Sequence, residues 1–196
     1  MIAWINFSIL IISSVLFTLF YVKSVGPAAL AAKIGDTAYK KCAVYRAVSS
    51  IFMAIASLNY IVYHLFPLPL ALPTTFSWPW WVSVVIAACI GIPGMYLMLV
   101  GVRDAGEETM RPKQEHAMYS GIYQKIRHPQ ALGEFPLWWM LAFLVHSPFL
   151  VLFSFLYIPV WCYFCVAEEK DLILRFGADY EAYRQRVGFW FPKRPQ

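Results

Sequence analysis

Hydrophobic positions fall in long unbroken blocks rather than alternating with polar ones. The runs at about 2–22, 44–66 and 80–102 each suffice to cross a bilayer core of about 30 Å as a helix rising about 1.5 Å per residue. A further apolar block, 130–167, carries Glu134 as its sole charge and is interrupted at His146-Ser147-Pro148. It predicts two short crossings, 131–146 and 149–167, accommodated by local thinning of the bilayer or by ends at the interface. Such a hairpin returns the chain to the face it left, so Arg127 and Glu168 are expected close together. Within the third span, Gly91-Ile92-Pro93-Gly94 predicts a kink, and the proline-rich 67–79 segment a stiff connector. Beyond Glu169, the positions Leu172, Ile173, Phe176, Tyr180, Tyr183 and Val187 keep helical spacing, interrupted at Gly177 and restarted by an Asp179 cap. That amphipathic pair is expected to cover the bilayer surface or a bound ligand. Phe189-Trp190-Phe191-Pro192 reads as an interfacial aromatic anchor.

Composition sharpens the class: 60% of residues are hydrophobic and 14% charged, against roughly half and a quarter in soluble domains. The expectation is an all-α integral membrane protein of about five transmembrane helices forming one domain over 1–196. The first run has no positive segment before it and reads as a retained anchor. Topology follows from charge. The N-terminus, the 67–79 loop and the 146–148 turn contain no Lys, Arg, Asp or Glu, whereas 23–46 carries Lys23, Lys33, Lys40, Lys41 and Arg46 against Asp36. The N-terminus is therefore expected outside, with the 103–128 loop and the 168–196 tail cytoplasmic. The net charge of +5 flanks the spans, which suits lipid headgroups rather than nucleic acid. Cys162 and Cys165 form a CxxC without a second ligand pair, so no metal is expected.

Candidate chemistry lies at the ends of the 130–167 block. Arg127 offers a permanently charged planar fork suited to a carboxylate or phosphate; alone, it reads first as an interfacial arginine on lipid phosphate. His128 is a ligand or a helix cap, and Pro129 is well placed to begin a helix. Glu168 and Glu169 sit where a stopping helix would disfavour negative charge, unless the helix runs on or Lys170 and Arg127 neutralise them. Glu134, about one turn into its span, either snorkels, protonates or serves a site.

Taken in order, these residues carry a resemblance. The run His116-Ala117-Met118-Tyr119-Ser120-Gly121-Ile122-Tyr123, then Arg127-His128-Pro129-Gln130-Ala131-Leu132-Gly133, then Glu168-Glu169, then Phe176-Gly177 with Tyr180, Tyr183, Arg186, Val187 and Pro192, resembles the isoprenylcysteine carboxyl methyltransferase family. It is similar more broadly to membrane methyltransferases with an Arg-His-Pro-x-Tyr-x-Gly motif and a downstream Glu-Glu. The N-terminal half matches only as spans. The resemblance implies S-adenosylmethionine as methyl donor, S-adenosylhomocysteine as product, and a lipophilic, prenylcysteine-like acceptor entering from the bilayer. It also implies that His116, Ala117, Met118, Tyr119, Tyr123, His128, Pro129, Gln130, Ala131 and Glu168 hold the cofactor, with Arg127 near the reacting centre. Glu134 and Glu169 are additional candidates. Two departures stand out: Ala131 replaces the motif tyrosine, and Phe164 stands where larger eukaryotic members carry a substrate-associated arginine.

An acceptor carboxylate is already anionic at neutral pH, so methylating it needs no general base, and positioning with partial desolvation is the expected source of rate. A phospholipid amine acceptor would instead need a proton acceptor such as Glu134 or Glu169. Two other readings are an NADPH-dependent membrane reductase, for which no Gly-rich dinucleotide fingerprint appears, and a non-enzymatic carrier, which would not need Arg127, His128 and Glu168 on one face.

Overall fold

A computed structural model describes residues 1–114 and 120–193, built from helices and turns. Among the described residues, four stretches are long and apolar enough to cross a membrane: Ile2–Ser24, Thr37–Leu65, Trp80–Thr109 and Pro148–Phe176. They comprise α1 (Ile2–Ser24), α3 (Thr37–Leu65), α4 (Trp80–Ala105) with the 3-10 turn Gly106–Thr109, and α7 (Pro148–Ser154) followed by α8 (Tyr157–Phe176). The short α2 (Pro27–Ile34) links α1 to α3.

The expected crossing at 131–146 is not one helix. It is split into α5 (Pro129–Glu134) and α6 (Pro136–Leu144). Pro136 has no N–H to offer the preceding turn; Phe135 N still reaches Ala131 O at 3.2 Å, but Trp138 N turns to Phe135 O at 3.3 Å. The turn at His146-Ser147-Pro148 forms between α6 and α7. His146 adopts φ 59°, Ser147 caps α7 by accepting from Leu150 N at 3.3 Å, and Pro148 opens the helix.

Packing follows lipid logic, with small residues inside and large ones outside. The buried stripe of α4 is Ser83, Ala87, Gly91, Gly94, Gly101 and Ala105, while Ile92, Tyr96 and Leu99 are exposed. The helix continues through Pro93, and its glycines let α4 press onto α5 and α6. A Cβ on Gly94 would lie 2.8 Å from Gly133 O. On the other side α1 packs along α3, with Ser49 Oγ donating to Phe17 O at 3.0 Å. Aromatic rings fill the centre: Trp138 stacks on Tyr157 at 4.2 Å, and Tyr60 and Ser154 hydroxyls pair at 3.0 Å.

At Gly177, φ 54°, α8 gives way to α9 (Ala178–Arg186). Gly177 itself is the N-cap of α9, and Asp179 lies in its first turn rather than at the cap as expected. The aromatic tail also differs from a simple anchor. Phe189 packs on His128 with ring centres 4.7 Å apart, Trp190 packs on Phe135 at 5.4 Å, and Phe191 is exposed.

Candidate functional site

A polar pocket opens where the start of α5 meets the second half of α8. Its walls include Tyr21 of α1, Arg46 of α3, Thr109 at the end of the 3-10 turn after α4, Tyr123, Arg127, His128, Gln130, Ala131 and Glu134 around α5, Trp161, Phe164, Cys165, Glu168 and Leu172 of α8, and Tyr180 and Tyr183 of α9. Local hydrogen bonds set these side chains in place. Asp104 at the end of α4 accepts from Ile122 N at 2.8 Å, which fixes the 3-10 turn Gly121–Gln124 and so Tyr123. Gln130 Nε2 lies 2.8 Å from Tyr123 Oη, 3.0 Å from Thr109 Oγ1 and 3.2 Å from Gly101 O. One amide thus joins α4, the Gly121–Gln124 turn and α5.

The paired glutamates divide their roles. Glu169 is buried and gathers the cations: Arg127 Nε donates to its Oε1 at 2.7 Å, His128 Nε2 lies 3.0 Å from the same atom, and Arg184 Nε is 3.3 Å from Oε2. Glu168 faces the pocket with 32% of its side chain exposed, its Oε2 3.5 Å from His128 Nδ1. His128 therefore has a carboxylate at each ring nitrogen. Burial alone would lower its pKa, but hydrogen bonds to Cys165, Glu168 and Glu169 hold it well above the ordinary value.

The remaining bonds of Arg127 go to the tail. Nη1 donates to Arg184 O at 3.1 Å and to Val187 O, and the guanidinium carbon lies 5.5 Å over the Phe189 ring. The backbone agrees: Arg127 N donates to Gly188 O at 2.9 Å and His128 N to Phe189 O at 3.3 Å. The C-terminal segment is thus strapped to the start of α5. Tyr183 Oη donates to Tyr123 O at 2.6 Å, seating α9 over the pocket, and burial pushes the Tyr183 phenol up to about 12.

Of the residues singled out in the sequence, Tyr123, Arg127, His128, Gln130, Ala131, Glu134 and Glu168 line the pocket. Glu169 stands behind it through Arg127 and His128, and Pro129 is buried as the first residue of α5. His116, Ala117, Met118 and Tyr119 lie outside the described residues. Sequence reasoning missed Arg46, counted only as a topological charge. Its Nη1 donates to Glu108 O at 2.7 Å and Thr109 O at 2.8 Å, and its Nε lies 3.4 Å from Ser24 Oγ. It also missed the buried ion pair of Arg175 with Glu108, 2.6 Å long, which ties the end of α8 to the start of the 106–114 segment. A signal existed for Arg46: it is the one cation set on the buried stripe of α3, with Ala38, Cys42, Ser49 and Ala56. Phe164, also in the pocket wall, stacks on Tyr21 at 4.2 Å.

Over 120 residues the chain is 30% identical to the protein-S-isoprenylcysteine O-methyltransferase of Saccharomyces cerevisiae, a stretch covering 55% of this chain and 48% of that protein. The chain spans about half the length of the relative it matches. The likeness read from the motifs is borne out by this similarity. No family model matches the chain, and no solved structure matches it.

Proposed function

We propose that this protein is an S-adenosylmethionine-dependent methyltransferase that methylates a lipophilic acceptor at the membrane, a prenylcysteine-type carboxylate. The observation that carries the reading is the pocket in which Glu168, Arg46, Gln130 and His128 meet aromatic walls at the ends of apolar helices, together with the similarity to the yeast methyltransferase. The donor set fits the cofactor. Glu168 suits an ammonium or a ribose diol, Arg46 a carboxylate, and the rings of Tyr21, Trp161 and Tyr180 a flat heterocycle. Ala131 completes the wall; Pro129, His116, Ala117, Met118 and Tyr119 are assigned to the cofactor by the resemblance alone.

When bound, S-adenosylmethionine supplies a methyl group on a sulfonium, which a carboxylate oxygen takes while the sulfur keeps the electron pair. The chain's own residues do the rest. Arg127, fixed by Glu169 and the tail carbonyls, is a preorganised cation that pairs with the acceptor carboxylate and aims it, with no reorganisation needed at the moment of reaction. His128 bridges the two glutamates, Glu169 being held as well by Arg127 and Arg184 and Glu168 facing the ligand. α9 excludes water through Tyr180 and Tyr183. The excess of Lys and Arg in 23–46 supports an outside N-terminus, a cytoplasmic tail and a cytoplasmic site.

A second reading, N-methylation of a phospholipid amine, is favoured by Glu134, an acid in the pocket wall able to take a proton. Transfer of a labelled methyl group to N-acetyl-S-farnesylcysteine against phosphatidylethanolamine separates the two. Product from the first supports carboxyl methylation; product from the second alone transfers the assignment to amines.

A further inference from the structure

α1 and α3 lie side by side, and at the end that carries the polar pocket they present two kinds of surface. Tyr21 and Arg46 line the pocket, with the guanidinium carbon 6.0 Å from the Tyr21 ring centre. One position before each, Phe20 and Tyr45 meet outside the pocket wall, their ring centres 6.0 Å apart. Phe52 stacks on Phe20 at 5.9 Å with 11° between the planes. All three rings are half-buried. Tyr45 to Phe52 is about two turns of helix, so this ladder of rings runs about 10 Å along α3 into the apolar span.

Two ammonium groups crown the Tyr45 end. Lys23 Nζ lies 5.9 Å from the centres of both the Phe20 and the Tyr45 rings, and Lys41 Nζ lies 5.9 Å from the Tyr45 ring. Neither they nor Lys40 form an ion pair among the described residues. Asp36, the sole acid between 23 and 46, stands at the N-cap of α3 and is paired with none of them. A ring face repays an exposed ammonium only weakly, and two like charges gathered on one ring repel each other. An anion between them turns that repulsion into attraction. Flexible stems and rotatable donors let both lysines reach one phosphate, while the rings below them offer an apolar surface to an acyl chain. The opposite end of the bundle lacks this pairing: Trp78, Trp80 and Trp81 are exposed there, and the 67–79 segment carries no charge.

We infer that Lys23 and Lys41 form a binding site for an anionic phospholipid, with its phosphate between the two ammonium groups and one acyl chain along Tyr45, Phe20 and Phe52. The site lies outside the pocket and is independent of the methyltransferase reading. Because Phe20 and Tyr45 adjoin Tyr21 and Arg46 in the chain, a bound lipid braces the α1–α3 wall of the pocket, and its occupancy is read as thermal stability.

The test follows thermal unfolding of the full chain, purified in a neutral detergent, with added dioleoylphosphatidylglycerol, dioleoylphosphatidylcholine or glycerol 3-phosphate. Phosphatidylglycerol should raise Tm saturably, and the other two should do so far less. Lys23→Gln/Lys41→Gln should weaken the apparent affinity for phosphatidylglycerol by about tenfold or more, the worth of two ammonium groups at an anionic headgroup. Lys40→Gln/Lys125→Gln has the same net charge and should leave that affinity nearly unchanged. An unaltered Tm without lipid certifies that both double variants are folded, as expected for exposed substitutions. Equal shifts from the two phospholipids, no shift from either, or equal weakening in the two double variants overturns the inference. A shift that glycerol 3-phosphate alone reproduces makes this a site for free phosphate and overturns the lipid assignment.

Discussion

The two ends of α5 treat charge in opposite ways. At its start, Arg127 and His128 are charge-matched: Glu169 takes Arg127 Nε and His128 Nε2 and the tail carbonyls take Arg127 Nη1, while Arg127 Nη2 meets no acceptor among the described residues. At its end, Glu134 borders three hollows with no cation paired to it among the described residues. The same contrast separates neighbours on α8, for Glu169 keeps 8% of its side chain exposed and Glu168 keeps 32%. Matched charges hold the fold closed, because removing one partner strands the other in a low dielectric. The more exposed Glu168 is the carboxylate that the proposed cofactor would meet.

Arg127→Lys keeps a charge but loses the planar fork; kcat should fall by about 10²–10³-fold, as when a preorganised donor is lost, with S-adenosylhomocysteine affinity nearly unchanged by calorimetry. Unchanged turnover would remove Arg127 from the reacting centre. Glu169→Ala strands Arg127 and His128 and should cost about 3 kcal/mol, read as a large drop in Tm of the detergent-solubilised protein, whereas Glu168→Ala should lower Tm much less. Equal drops would erase the division of roles between the two glutamates. Gly133→Ala, which sets a methyl against the α4 backbone at Gly94 and Met98, should cost about 1–3 kcal/mol by overpacking, with a matching Tm shift.

The smallest effect is a pH dependence. Because the native pKa of His128 is raised above its usual 6.5, its stabilisation is complete below about 6.5 and fades as pH rises through the raised native value. The Tm advantage of wild type over His128→Gln should therefore shrink on going from pH of about 6.5 upward. An advantage that grew with pH would mean that a neutral imidazole is the stabilising form.

Much of this architecture was legible in the sequence because hydropathy is local. The four apolar stretches, the His146-Ser147-Pro148 turn and the interruption at Gly177 all follow from composition and from residues with restricted or permissive backbones. The split at Pro136 was visible as well, yet the surrounding apolar run outweighed it in a reading based on length. What the sequence hid was tertiary. Helix phase and the returning tail decide that Glu169 pairs inward while Glu168 faces the pocket, and neither can be read from two adjacent identical letters. Arg46 looked like one more cytoplasmic cation until the end of α4 supplied carbonyls for it. Phe189 and Trp190 looked like lipid anchors, and they pack on His128 and Phe135 because the backbone of the tail bonds to Arg127 and His128.

In the proposed function Glu168 faces a bound methyl donor. Calorimetric titration of the detergent-purified chain with S-adenosylhomocysteine, wild type beside Glu168→Gln, tests it directly. Saturable binding by the wild type is expected, weakened about tenfold or more when the charged acceptor is lost. Absence of binding to folded wild-type protein, or equal affinity in the two, would contradict it.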